Sequence, residues 1–101
     1  MNKEEFSEYM DKNSNVRNIF AERALSYQQE KNQARQPAKR WRDGRVEREA
    51  EKMYDNVLNN IYEQIKRTVQ NSTERNNWIQ FIDENDLFDD LEQSMNEMSF
   101  E

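Results

Sequence analysis

The sequence predicts an all-α protein: a compact bundle of four to five helices, one domain over residues 1–101, with one long central helix at about 44–70. Three observations predict it. Apolar residues recur at spacings of three and four and almost nowhere alternate, which puts them on shared helix faces. The chain holds one Gly and one Pro, too few turn formers for a sheet of hairpins. Its 101 residues are the length of a single domain.

A first helix over about residues 3–11 puts Phe6, Tyr9 and Met10 on one side. The polar run KNSN (12–15) interrupts it, and Ser14 or Asn15 is placed to cap a second helix by accepting a free backbone N–H. That helix carries Val16, Ile19, Phe20, Ala24 and Tyr27 and is expected to reach about Arg35. Pro37 stops it or starts the next, since proline lacks the N–H a helix interior needs.

The third helix has the broadest stripe: Val46, Ala50, Met53, Tyr54, Val57, Leu58, Ile61, Ile65 and Val69. Glu63 and Arg67 sit one turn apart on its outside, the spacing of a small i,i+4 attraction. QNST (70–73) breaks it, with Asn71 or Ser72 as the next cap. A fourth helix carries Trp78, Ile79, Phe81 and Ile82, and DEND (83–86) is read as a turn and cap. A fifth carries Leu87, Phe88, Leu91, Met95 and Met98 and frays toward Phe100.

The core is lean. Hydrophobic residues make up 34% of the chain and charged residues 36%, and Leu, Ile, Val and Phe number only 18 together. A chain this short and polar has little margin over the entropy of ordering it. Homodimerisation, or folding on a partner, therefore stands beside a stable monomer as an expectation.

Composition also excludes chemistry. There is no Cys and no His, so disulfides, Cys/His zinc sites and His-dependent triads are ruled out. Phosphate-cradling loops need several glycines, and only Gly44 is present. A calcium loop starting at Asp83 would put Leu87 at a ligand position and Phe88 where the turn needs Gly. Di-metal carboxylate bundles need a Glu-x-x-His pair. The expectation is a non-enzyme with no cofactor and no metal. No apolar run reaches about 18 residues and the N-terminus has no apolar leader segment, so neither a membrane partner nor export is expected, and the cytoplasm is the default location. The abundance of Asn, Lys, Ile and Glu is associated with AT-rich genomes, including those of phages and mobile elements.

Charge is unevenly distributed. Residues 31–52 hold eight Lys or Arg against four acids, whereas residues 74–101 hold one Arg against nine acids, within a net charge of −6. The basic segment includes Trp41. In an unbroken helix from Pro37, Trp41 would lie ~180° from Ala50 and ~140° from Val46, facing away from the core. Either the chain kinks at Gly44 and Trp41 folds back as a lid on the core, or Trp41 stands exposed among arginines. If the helix starts at Asp43 or Gly44, Arg45 and Arg48 oppose its dipole, although Arg45 can reach Glu49.

Two candidate partner-binding surfaces follow. Arg40, Trp41, Arg42, Arg45 and Arg48 suit an anionic protein surface, or nucleic acid through phosphate contacts and base stacking, or the chain's own acidic end. Asp86, Phe88, Asp89, Asp90 and Glu92 suit a partner's basic groove, and in an extreme form imitate DNA phosphates toward a nucleic-acid-binding host protein. The function expected is a protein–protein interaction module, a regulator or inhibitor that blocks a host protein. Direct nucleic-acid binding and DNA mimicry are the alternatives.

Two short stretches, WRDG (Trp41–Gly44) at mid-chain and FDDLE (88–92) near the end, resemble the turn and the aromatic-xxx-acid signal of the WxG helical-hairpin family of small secreted bacterial proteins. That resemblance implies a two-helix hairpin and export. Here the spacing is Trp-x-x-Gly, and the breaks near 12–15, 70–73 and 83–86 interrupt the two long helices the family would need.

Overall fold

The computed structural model describes residues 1–98, and Phe100, toward which the last helix was expected to fray, lies outside them. Five α-helices follow one another: α1 (Lys3–Asn13), α2 (Val16–Gln33), α3 (Asp43–Thr68), α4 (Arg75–Glu84) and α5 (Leu87–Glu97). A single 3₁₀ turn, Pro37–Lys39, lies between α2 and α3. No strand occurs among the described residues. The all-α bundle with a long central helix is thus the architecture observed, and the molecule measures 51 × 23 × 22 Å.

The caps are where local expectation and structure part. α1 opens with a capping box: the Asn2 side chain accepts the Glu5 N–H at 2.8 Å, and the Glu5 carboxylate accepts the Asn2 N–H. At α2, Ser14 Oγ accepts the Val16 N–H at 3.4 Å, while the Asn15 side chain at the cap position accepts from the Asn18 side chain at 2.9 Å and caps no backbone N–H. Instead the Glu92 carboxylate reaches across from α5 and accepts the Asn15 N–H. A negative charge there also favours the positive end of the α2 dipole. Glu92→Ala is expected to cost about 1 kcal/mol, a fall in Tm of about 4–8 °C, measurable by thermal unfolding.

Asn71 and Ser72 do not take the cap position of α4, which falls to Glu74. Gln70 and Asn71 instead finish α3 in left-handed conformation, with φ of 58° and 60°. The Asn71 N–H donates to Lys66 O and the Gln70 N–H to Arg67 O, closing a Schellman motif. Asp86 occupies the cap position of α5 without a side-chain bond, at φ 47°. Arg67 donates to the Glu63 carbonyl oxygen rather than to its carboxylate.

The bundle divides along α3. Its N-terminal half runs antiparallel to α2, with Phe20 against Tyr54 and Asn32 against Trp41. Its C-terminal half extends past the start of α2 and meets α1, where Phe6 packs on Tyr62. α5 lies parallel to α2: Glu92 meets Asn15, and Arg23 donates to the carbonyls of Asn96 and Met98. α4 closes the base through Trp78, which is fully buried, stacks on Tyr62 at 5.1 Å and contacts Phe6 at 5.8 Å.

Beyond Arg23 the described part of α5 ends, and α2 and α3 continue as a two-helix arm. Ten residues of α2, Ala24 to Gln33, make this arm about 15 Å long. Ala24 and Ala50 are buried within it and let the two helices approach closely. The basic segment is the tip of this arm.

Candidate functional site

Trp41 takes neither of its expected places. The chain leaves the 3₁₀ turn in extended conformation, with ψ of 140° at Arg40 and 158° at Arg42, and only then enters α3. This extended step, rather than a kink at Gly44, sets the direction of the indole. Trp41 is half-buried and outside the hydrophobic core. The guanidinium carbons of Arg35 and Arg45 lie over its ring, 4.1 and 4.4 Å from the centroid.

Its backbone is held by one side chain. Asn32, on the last turns of α2, accepts the Trp41 N–H at 2.8 Å and donates to the Trp41 carbonyl at 3.0 Å. This paired amide contact ties an irregular segment to a rigid helix. Asn32→Ala is expected to cost about 1–2 kcal/mol and to raise the accessibility of Trp41 to iodide quenching. The quenching change separates release of the tip from general destabilisation, because Trp78 stays protected until the chain unfolds.

The arginines divide by role. Arg40 donates to the Gln33 and Arg35 carbonyl oxygens at 3.0 and 3.3 Å, and so caps the C-terminal end of α2. Arg45 stacks on Trp41 and makes no ion pair with Glu49, which pairs with Lys52 at 3.2 Å. Arg42 and Arg48 are exposed. Among the described residues the salt bridges are Arg17–Asp11, Lys52–Glu49 and Arg75–Glu5, so no arginine of the tip has a carboxylate partner. Arg40, Trp41, Arg42, Arg45 and Arg48 line one shallow depression of about 500 Å³ together with Gly44. The structure therefore brings all five predicted basic-surface residues together. Arg35 also belongs to the cluster and was not among them. Its signal was its position near the end of the α2 stripe, which by itself points equally well to solvent.

The tip coincides with an uncapped helix end. Arg42 sits at the cap position of α3 without a side-chain hydrogen bond. The first backbone N–H groups of α3 thus add their partial positive charge to that of the arginines.

The acidic surface survives only in part. Phe88 is 8% exposed and packs against Tyr9 and Phe6 at 5.7 and 6.4 Å, so it is a core residue and no contact residue. Its place on the apolar stripe with Leu87, Leu91 and Met95 already separates it from the exposed Asp89 and Asp90, and the rings of Tyr9 and Phe6 on α1 cover it. Glu92 is engaged with the Asn15 N–H. Asp86, Asp89 and Asp90 remain exposed. Asp86 and Asp89 line a depression with Asp83 and Tyr9. Burial, and then Asp83, push the Tyr9 phenol up, against the lowering influence of Arg75. Among the described residues no three carboxylates gather as a metal site, and no helix is long and apolar enough to cross a membrane.

The acidic and basic surfaces lie at opposite ends of α2, about 27 Å apart over its 18 residues. The basic segment does not fold onto the acidic end of the same chain. No family model, no curated protein and no solved structure matches this chain. With α1, α4 and α5 beside the antiparallel pair α2 and α3, the chain is not the two-helix hairpin that the WRDG and FDDLE stretches imply.

Proposed function

We propose that this chain is a protein-binding module, a regulator or inhibitor that docks the tip of its α2–α3 arm on an acidic surface of a partner protein. The observation that carries the reading is the set of tip arginines gathered at the end of a projecting arm, none of them in a salt bridge among the described residues. Trp41 and arginine are also the residue types that dominate the binding energy of protein interfaces. The Asn32 clamp and the Arg40 cap support the reading, because they hold the segment in one conformation before any partner arrives and so lower the ordering cost of binding.

A protein partner is favoured over nucleic acid on two grounds. The Trp41 ring, on which a base would stack, already carries the guanidinium groups of Arg35 and Arg45. The net charge of −6 repels a polyanion outside the tip. DNA mimicry is weakened by the engagement of Phe88 and Glu92 in the fold.

A photo-crosslinking amino acid placed at position 42 or 48, in cells of the native source, tests the reading. The expected product is one crosslinked protein from either tip position and none from position 90. Crosslinks to nucleic acid at the tip, or a protein captured only from position 90, would refute it.

A further inference from the structure

The α2–α3 pair carries a second surface, at the base of the arm and of opposite sign to the tip. A groove of about 430 Å³ runs between α2 and α3. Its floor is small and apolar, formed by Ala21 and Leu25 from α2 with Ala50 and Tyr54 from α3. One lip is a row of carboxylates on α3: Glu47, Glu51 and Asp55. The steps are four residues each, so the row rises about one helical turn per carboxylate and spans about 12 Å. None of the three forms a salt bridge among the described residues.

A second, independent observation marks the same place. Tyr54 is 6% exposed, and its buried hydroxyl has no hydrogen bond of ordinary geometry. The nearest cation is Arg17, whose guanidinium lies over the Tyr54 ring at 4.9 Å and pairs with Asp11 at 3.3 Å. Burial raises the phenol's pKa, opposed by Arg17, so the group is a neutral hydroxyl at physiological pH. Native structures satisfy nearly all buried polar groups, and here the group is left over on the floor of an open groove. Arg17 also lines the groove, where its half-exposed side chain is held by Asp11 and by the Ser7 hydroxyl, to which it donates at 3.4 Å.

We propose that this groove receives a cationic amphipathic helix of a partner protein. Its lysines or arginines, one turn apart, would lie along Glu47, Glu51 and Asp55, and its apolar face on Ala21, Leu25 and Ala50. Two features select a helix. The carboxylate row has the repeat of a helix face, so a parallel or antiparallel helix matches it over two turns. The alanines allow a third backbone to come close alongside the α2–α3 pair. The charge of the lip selects a cationic helix, and the net charge of −6 disfavours a second copy of this chain as the occupant. The proposal is independent of the reading of the tip, whose partner is acidic.

The test is a titration of the ¹⁵N-labelled full chain with an 18-residue amphipathic Leu/Lys model helix, and with its Leu/Glu counterpart, followed by two-dimensional NMR. The expected result is saturable shift changes at Ala21, Leu25, Ala50 and Glu51 with the Leu/Lys peptide only. Glu51→Lys combined with Asp55→Lys should weaken binding about tenfold or more. Both positions are exposed, so the fold persists, and Glu51→Gln with Asp55→Asn supplies a neutral version of intermediate effect. Four results would overturn the proposal: shifts centred on Asp86, Asp89 and Asp90; equal binding of both peptides; no saturable shifts; or concentration-dependent shifts at the groove without peptide, which would make the occupant a second copy.

Discussion

Replacing Trp78 by alanine is expected to remove about 3–5 kcal/mol of stability, enough to unfold much of a chain of this size at ambient temperature. Trp78 is fully buried, stacks on Tyr62 at an interplanar angle of 19°, and contacts Phe6. Its indole N–H donates to the Ser72 carbonyl at 2.8 Å, fixing the turn between α3 and α4. The alanine variant therefore loses apolar burial, leaves a cavity among three helices and strands the Ser72 carbonyl. Urea unfolding followed by circular dichroism measures the loss. Trp78→Phe should cost less, since it keeps most of the ring packing and forfeits the hydrogen bond. The same measurement on Trp41→Ala should show a change of about 1 kcal/mol, because Trp41 lies outside the core and is held mainly by two cation–π contacts and the Asn32 clamp. If both tryptophan variants lose equal stability, the division between base and tip is wrong.

Reversing three charges at the tip, Arg42→Glu with Arg45→Glu and Arg48→Glu, is expected to weaken binding of an acidic partner by about 100-fold or more. The stability of the free chain should move little. Arginines in the first turns of α3 oppose its dipole, and glutamates there favour it by about 0.3–1 kcal/mol each. That gain offsets the loss of the Arg45–Trp41 contact, about 0.5–1 kcal/mol at an exposed site. A surface kept for stability would not place cations at the positive end of an uncapped helix, so binding should fall while stability is nearly unchanged. Surface plasmon resonance against the crosslinked partner, repeated over a range of salt concentrations, reads the binding. Thermal unfolding reads the stability. Unchanged affinity in the triple variant, or affinity insensitive to salt, would remove the tip from the interface.

The helices were legible because burial follows periodicity. The α3 stripe inferred from spacing contains every residue that the structure buries along that helix: Val46, Ala50, Tyr54, Leu58 and Ile65. Tyr62 was missed. It lies off the centre of that stripe and becomes half-buried only because α1 and α4 wrap around the end of α3, where its hydroxyl donates to the Met1 carbonyl at 3.0 Å. Caps were harder to read. Ser, Asn and Asp near a helix start signal a cap, and Ser14 does accept the Val16 N–H, but α2 takes a second acceptor from Glu92, 77 residues away.

The candidate site shows the same division. That residues 31–52 are basic and residues 74–101 acidic is a property of the chain, and no folding changes it. Which charges remain available to a partner is decided by contacts between helices. Arg40 binds the end of α2, Glu92 binds its start, and Phe88 enters the core, while Arg42, Arg48, Asp89 and Asp90 stay exposed.

By itself, the amino-acid order determined the helical class, the approximate helices, the apolar faces and the sign of charge along the chain. These follow from local propensity and from side chains one turn apart, which need no distant residue. Only the tertiary structure decided that α2 and α3 project as an arm, that Trp41 rests between an asparagine clamp and two arginines, and that an acid-lipped groove lies open beside it. Each of these depends on segments far apart in sequence meeting in space, and the spacing of residues along one helix carries no record of which other helix will cover it.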